Sequence, residues 1–155
     1  MSKLIKKLDN LDYESIEKIS NIWLNSNLEA HDFIKREYWI SNFDKVKKMF
    51  PDSSIYVYYA GNQIVGFAGL YEQYIAGIFI TDNYRNRGIG SLLLERLKSD
   101  YNGLNLHVYE KNEGAIHFYT KHQFEIRSKE FQAETQEYAC LMKWDSNISY
   151  KSNNK

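Results

Sequence analysis

Two arginines and two glycines fall within residues 85–90, in the stretch NYRNRGIGSLLLERL (83–97), immediately before an apolar helical pattern. That combination has a definite chemistry. A helix N-terminus presents unpaired backbone N–H groups and partial positive charge, and so receives anions. Gly88 and Gly90 remove the Cβ atoms that would hold an anion away from those groups. Arg85 and Arg87 add mobile positive charge. The stretch therefore reads as a cradle for a pyrophosphate, on the backbone of Asn86, Arg87, Gly88, Ile89, Gly90 and Ser91. It is not a Walker A loop, because the Lys-Ser/Thr pair is missing. It is not a dinucleotide fingerprint either, because no third glycine follows Gly90 at the required spacing. On these residues alone an ordinary basic turn stands as the alternative.

A second motif follows about twenty residues later. In LHVYEKNEGAIHFYTKHQFE (106–125), Asn112, Ala115, Phe118, Tyr119 and Phe124 form N-x-x-A-x-x-F-Y-x-x-x-x-F directly after an apparent strand. The two motifs, in this order, resemble the GNAT acyltransferase superfamily, whose Q/R-x-x-G-x-G/A signature R-N-R-G-I-G matches. Together with EAHDFI (29–34) and EYACLMKW (137–144), the pattern is similar to the YjaB/YiaC-like branch of small bacterial members. The resemblance spans roughly residues 3–144. One position departs from it: Gln123 stands where the family commonly has glycine, which puts the turn after the second motif in question.

The resemblance implies an N-acetyltransferase that uses acetyl-CoA as co-substrate, with an amine acceptor that is a small molecule or a protein. The branch leans toward protein lysine. It implies a pyrophosphate on residues 86–91 beside Arg85 and Arg87. It implies a pantetheine arm paired like an added strand along Ile78, Phe79 and Ile80, with Asn112, Ala115 and Phe118 on the other side. Asn112 suits helix N-capping equally well. Tyr119 is the expected general acid: a phenol stays protonated at neutral pH and can protonate a departing thiolate. An alkylammonium must lose a proton before it attacks. His107 is the expected base, with Glu72 its rival; a packed histidine is the plainer account of His107. His31, Phe33, Tyr71 and Tyr74 are expected to line the acceptor side, with Trp39 as a core or pocket residue. No metal site is expected, and Cys140 reads as core.

Composition sets the frame. The 155 residues suit one domain with one core, expected over 1–145, with a polar, disordered tail over 146–155. Lys+Arg and Asp+Glu both number 20, which argues against a general nucleic-acid binder. The single cysteine excludes an internal disulfide and fits a reducing compartment. There is no signal-peptide pattern and no membrane span, so a cytoplasmic monomer or homodimer is expected. A non-catalytic acyl-CoA sensor is the alternative function; a different phosphate binder is a third.

The elements that must hold these residues follow from periodicity. Strands are predicted at 4–8, 54–60, 63–72, 74–81, 103–109, 124–134 and 137–144. A helix is predicted from the Asp12 cap, breaking at 25–34. Another runs over 35–50 to Pro51, with Trp39, Phe43, Val46 and Phe50 inward. A third carries Ile89, Leu92, Leu93 and Leu97 on one face, and a short fourth covers 112–122. The nearly unbroken apolar run YIAGIFIT predicts a strand buried on both faces. The class is α/β (α+β), a mixed, largely antiparallel sheet flanked by about four helices.

Overall fold

The computed structural model describes residues 4–146, so the expected disorder of the tail, from residue 147 onward, lies outside the described residues. Seven strands form one sheet in the order β1-β2-β3-β4-β5-β7-β6. In chain order the elements are β1 (Ile5–Leu8), α1 (Tyr13–Ala30), α2 (Arg36–Met49), β2 (Ser54–Ala60), β3 (Gln63–Tyr71), β4 (Tyr74–Ile80) and α3 (Ile89–Asp100), then β5 (Gly103–Tyr109), α4 (Glu113–Lys121), β6 (Glu125–Gln132) and β7 (Glu137–Asp145). Every neighbouring pair is antiparallel except β4 and β5, which α3 connects.

Local chemistry accounts for most boundaries. Asp12 caps α1, its Oδ1 accepting the Ser15 N–H at 2.8 Å. Pro51 stands at the start of a short 3-10 turn that closes α2. Gly61, at φ +62°, supplies the left-handed first residue of the two-residue turn into β3. Alternation then sorts the strands. Ile55, Val57 and Phe67 face α1 and its neighbours, whereas Tyr56, Ala68 and Leu70 face α3.

Three expectations need correction. Helix α1 does not break at Asn25 but continues to Ala30, because Ser26 and Asn27 turn inward and the Asn27 amide donates back to the Trp23 carbonyl at 2.9 Å. In α3 the buried stripe is Ile89, Leu93, Leu94 and Leu97, and Leu92 is exposed. Strand β4 is not buried on both sides: only Ile75 is buried. The cause is the sheet itself. Beyond the single pair Tyr74–Asn105, β4 and β5 diverge and leave β4 without a neighbour along that edge.

Candidate active site

The divergence of β4 from β5 opens a cleft of about 250 Å³. Residues 76–79 of β4 form one wall and His107, Val108 and Tyr109 of β5 the other. Helix α4 contributes Ala115 and Tyr119, and α1 and α2 contribute Trp23 and Trp39. The orientation of the β4 backbone follows from pairing. Thr81 N–H donates to the Val65 carbonyl at 2.9 Å, so by alternation Phe79 and Gly77 bond toward β3. Ile78 and Ile80 therefore point their N–H and C=O groups to the open edge. The Ile80 carbonyl already accepts from Arg85 Nε at 3.0 Å. A β-bulge between Ile75 and Gly77 adds Ala76 where the strands begin to part.

The loop at the end of β4 turns on two left-handed residues, Asn86 at φ +62° and Gly88 at φ +81°. Gly88 caps α3, whose first helical bond is Leu92 N–H to the Gly88 carbonyl at 3.1 Å. Ile89, Gly90 and Ser91 thus offer N–H groups with no intrahelical acceptor. The two arginines differ. Arg85 folds back onto the protein, its guanidinium 2.6 Å from Glu29 and 3.1 Å from Asp82, and fastens the loop to α1. Arg87 lies over the Tyr84 ring at 4.9 Å, with no ion pair among the described residues. The mobile charge expected of both belongs to Arg87 alone.

Two side-chain contacts brace this region, and the sequence, which singled out Gly90, Ser91 and Phe118, signalled neither pairing. Ser91 Oγ lies 3.0 Å from His122 Nε2, and Glu95 lies 3.3 Å from His122 Nδ1. They tie the first turn of α3 to the end of α4, and burial, followed by the Lys98 charge, holds the His122 imidazole below its ordinary pKa. Phe118 packs beside Gly90, leaving 3.5 Å for a Cβ there. After α4 the chain makes a Schellman turn. Gln123 takes φ +73°, and the N–H groups of Phe124 and Gln123 return to the carbonyls of Tyr119 and Thr120. Glutamine adopts the glycine-like conformation, so the second motif keeps its geometry.

Tyr119 sits on the cleft with 7% of its surface exposed, between Phe118 and Phe124. Its hydroxyl has no hydrogen-bond partner among the described residues, and burial pushes its phenol well above the ordinary value. It is a neutral O–H donor at neutral pH. Asn112 is an N-cap, its Oδ1 accepting the Ala115 N–H at 3.2 Å. Its Nδ2 donates to His31 Nε2 at 3.1 Å. His31 therefore carries its proton on Nδ1, which is buried and unpartnered among the described residues. The ring stacks on Trp39 at 5.3 Å, and burial lowers its pKa to about 4. Phe33 packs edge-on against His31 and Tyr109.

His107 faces the cleft from β5 and is held at both nitrogens. Tyr74 Oη lies 2.9 Å from Nδ1, and Glu130 Oε2 lies 2.8 Å from Nε2. Glu72 is elsewhere. It occupies the β3–β4 turn at φ +55°, exposed, beside a separate surface hollow shared with Tyr71 and Tyr74. Tyr71 is also exposed and outside the cleft. The structure thus brings Tyr119, His107, Tyr74, His31, Asn112 and Ala115 together and leaves Glu72 and Tyr71 apart. Among the described residues no group of three or more His, Cys, Asp or Glu is arranged to hold a metal ion. No helix there is long and apolar enough to cross a membrane.

Comparison with known proteins agrees with this architecture. Residues 51–126 match the acetyltransferase (GNAT) domain family. The chain is 31% identical over 128 residues to the peptidyl-lysine N-acetyltransferase YiaC of Escherichia coli K12, covering 81% of this chain and 88% of that protein. It is 32% identical over 118 residues to the peptidyl-lysine N-acetyltransferase YjaB of the same organism, covering 76% and 80%. The solution structure of apo YjaB superposes with a TM-score of 0.77 at 27% identity, over 90% of this chain and 95% of that one. A putative streptothricin acetyltransferase from Bacillus anthracis, solved with acetyl coenzyme A, superposes at 0.53 and 26% identity, over 61% and 63%. A sheet split between β4 and β5, a glycine-rich helix start at its mouth and these relatives lead to one conclusion: the chain belongs to the GNAT family and is an N-acetyltransferase.

Proposed function

We propose that this enzyme moves the acetyl group of acetyl-CoA onto the side-chain amine of a protein lysine. One observation carries the donor side. The open edge of β4 presents the Ile78 backbone to a cleft lined by Ala115 and Tyr119 of α4, and the Ile80 backbone lies farther along the same edge, toward the start of α3. A pantetheine arm is an amide chain of that width and hydrogen-bonding pattern. The pyrophosphate would rest on the N–H groups at the start of α3, between Arg87 and the Ser91 hydroxyl. Acetyl-CoA supplies an acyl thioester, already activated toward an amine. The protein's part is to hold it beside Tyr119, whose O–H protonates the departing sulfur as the C–S bond breaks. His107 takes the proton of the incoming ammonium.

The acceptor reading is supported by the two relatives, both described as peptidyl-lysine N-acetyltransferases, and by the far side of the cleft. Trp23, Trp39 and Tyr109 offer apolar rings to an aliphatic stem. His31 is neutral at pH 7 and does not repel a cation there. The lone, buried Cys140 suits a cytoplasmic enzyme.

The deciding experiment follows CoA release from acetyl-CoA with lysine peptides, N-terminal-amine peptides, spermidine and aminoglycosides in parallel. Peptide lysine is expected to give the highest kcat/KM. A preference for any of the other amines would overturn the acceptor assignment, and tight acetyl-CoA binding without turnover would overturn the enzyme's acid and base.

A further inference from the structure

His107 is held by a tyrosine from β4 and a glutamate from β6, two strands that do not touch each other. Strand β7 lies between β5 and β6. Register shows how Glu130 reaches over it: His107 pairs with Leu141, Tyr109 with Ala139, and Glu130 also with Ala139. All these side chains stand on one face, and the Glu130 side chain crosses diagonally to the imidazole. The other charged groups at register positions on that face are Glu137, Lys143 and Asp145 of β7 and Glu125 of β6; Glu137 pairs with Gln132, Asp145 with Gly103, and Lys143 with both Asn105 and Glu125.

For the neutral imidazole the hydrogen bonds define one protonation pattern. A carboxylate accepts only, so the His107 proton is on Nε2 and points to Glu130. Nδ1 then has a free lone pair, and the Tyr74 hydroxyl must be the donor at 2.9 Å. Burial holds the Tyr74 phenol above its ordinary pKa, so this O–H persists at neutral pH. The tyrosine oxygen keeps a lone pair, and Tyr74 itself lines the cleft. His107 is about one-third exposed and has an exit for a proton.

We propose that Tyr74, His107 and Glu130 form a proton relay for the acceptor amine, in which Glu130 is the positioning residue that fixes the His107 tautomer. The inference rests on the acetyltransferase reading and assigns its base a mechanism. One N–H bond of the ammonium breaks and its proton joins the Tyr74 oxygen. In the same movement the Tyr74 O–H bond breaks and its proton passes to His107 Nδ1. The imidazolium is stabilised by Glu130 and later releases a proton to water. The amine keeps the electron pair of the broken bond and attacks with it. Without Glu130, the imidazole is free to adopt the Nδ1–H tautomer, which cannot accept from Tyr74.

Glu130 is exposed on an outer strand and carries no core packing, so its replacement tests chemistry and not folding. Glu130→Gln is expected to lower kcat/KM for the amine about 100-fold at pH 7, the low end of what a general base contributes. The KM for acetyl-CoA and the thermal midpoint are expected to stay constant. The acidic limb of the pH–rate profile, where a general base loses its free lone pair, is expected to move with the variant. Nitrogen-15 NMR of the His107 ring reads the tautomer with no acceptor present: Nε2–H in the wild type, a mixture or Nδ1–H in Glu130→Gln. An unchanged rate and pH profile, or an Nδ1–H tautomer in the wild type, would overturn the relay. A wild type that binds acetyl-CoA yet acetylates no amine refutes the acetyltransfer reading instead, and the ring spectrum still decides the tautomer.

Discussion

Strands β3 and β4 run side by side and read alike, QIVGFAGLY against YIAGIFI, yet the seven inner residues of β3 are all buried and β4 buries only Ile75. Composition does not separate them. Their neighbours do: β3 is paired on both edges, while β4 loses β5 after one residue pair. An apolar run therefore states that something must cover the strand, without stating that protein does. In β3 the cover is the core. In β4 part of it is left open, where the proposed pantetheine arm would lie, and residues on the two strands should fail in different ways when changed.

The largest effect is expected on the open side. Tyr119→Phe should lower kcat by about 10²–10⁴-fold, the range for a general acid. The thermal midpoint should hold or rise slightly, since the lost hydroxyl has no partner among the described residues. Undiminished turnover would remove the acid assignment, and a collapse in stability would make Tyr119 a core residue like those of β3. Next come two phenylalanines in contact across the strands, with ring centres 5.2 Å apart. Phe67→Ala on β3 should cost about 3–5 kcal/mol in urea unfolding. Phe79→Ala on β4 should cost less than half of that and raise the KM for acetyl-CoA. Equal stability losses would break the contrast between the strands.

Acid stability gives a smaller test. His31 in the folded protein has its pKa lowered by burial from 6.5 to about 4. Between those values the unfolded chain binds a proton that the folded chain refuses. The stability present above pH 6.5 is therefore lost as pH falls toward 4, by up to about 3 kcal/mol. Urea midpoints measured across that range should fall in the wild type and fall less in His31→Phe; parallel curves would place the acid sensitivity elsewhere. The smallest effect belongs to the turn after α4. Gln123 holds φ +73°, which costs an L-residue strain of about 1 kcal/mol. Gln123→Gly should recover about that much in chemical unfolding, with kcat unchanged.

The sequence was informative where chemistry is local. The Gly61-Asn62 turn, Pro51 and the Asp12 cap set boundaries that the structure reproduces to within a residue or two, and the spacing of Asn112 to Tyr119 placed both on the cleft. Long-range geometry was hidden. Arg85 was read as mobile charge, and its partner Glu29 is 56 residues away on a helix whose end was itself misplaced. Glu130 was passed over because its reach to His107 depends on the register of β6 past a bulge at Arg127. Glu72 drew notice from its place beside a strand, and a left-handed turn residue turns it away from the cleft.

The gap between β4 and β5 has one more consequence. A bare sheet edge ordinarily invites another protein's strand, and outer edges are where aggregation begins. This edge is recessed in the middle of the sheet, with β5 and β7 on one flank and helices above and below. An incoming strand brings its own sheet or side chains on both faces and does not fit such a slot. A single amide thread does. The same split that leaves backbone groups available thus acts as a width filter, sparing the protein from unwanted pairing while keeping the slot open to one slender chain.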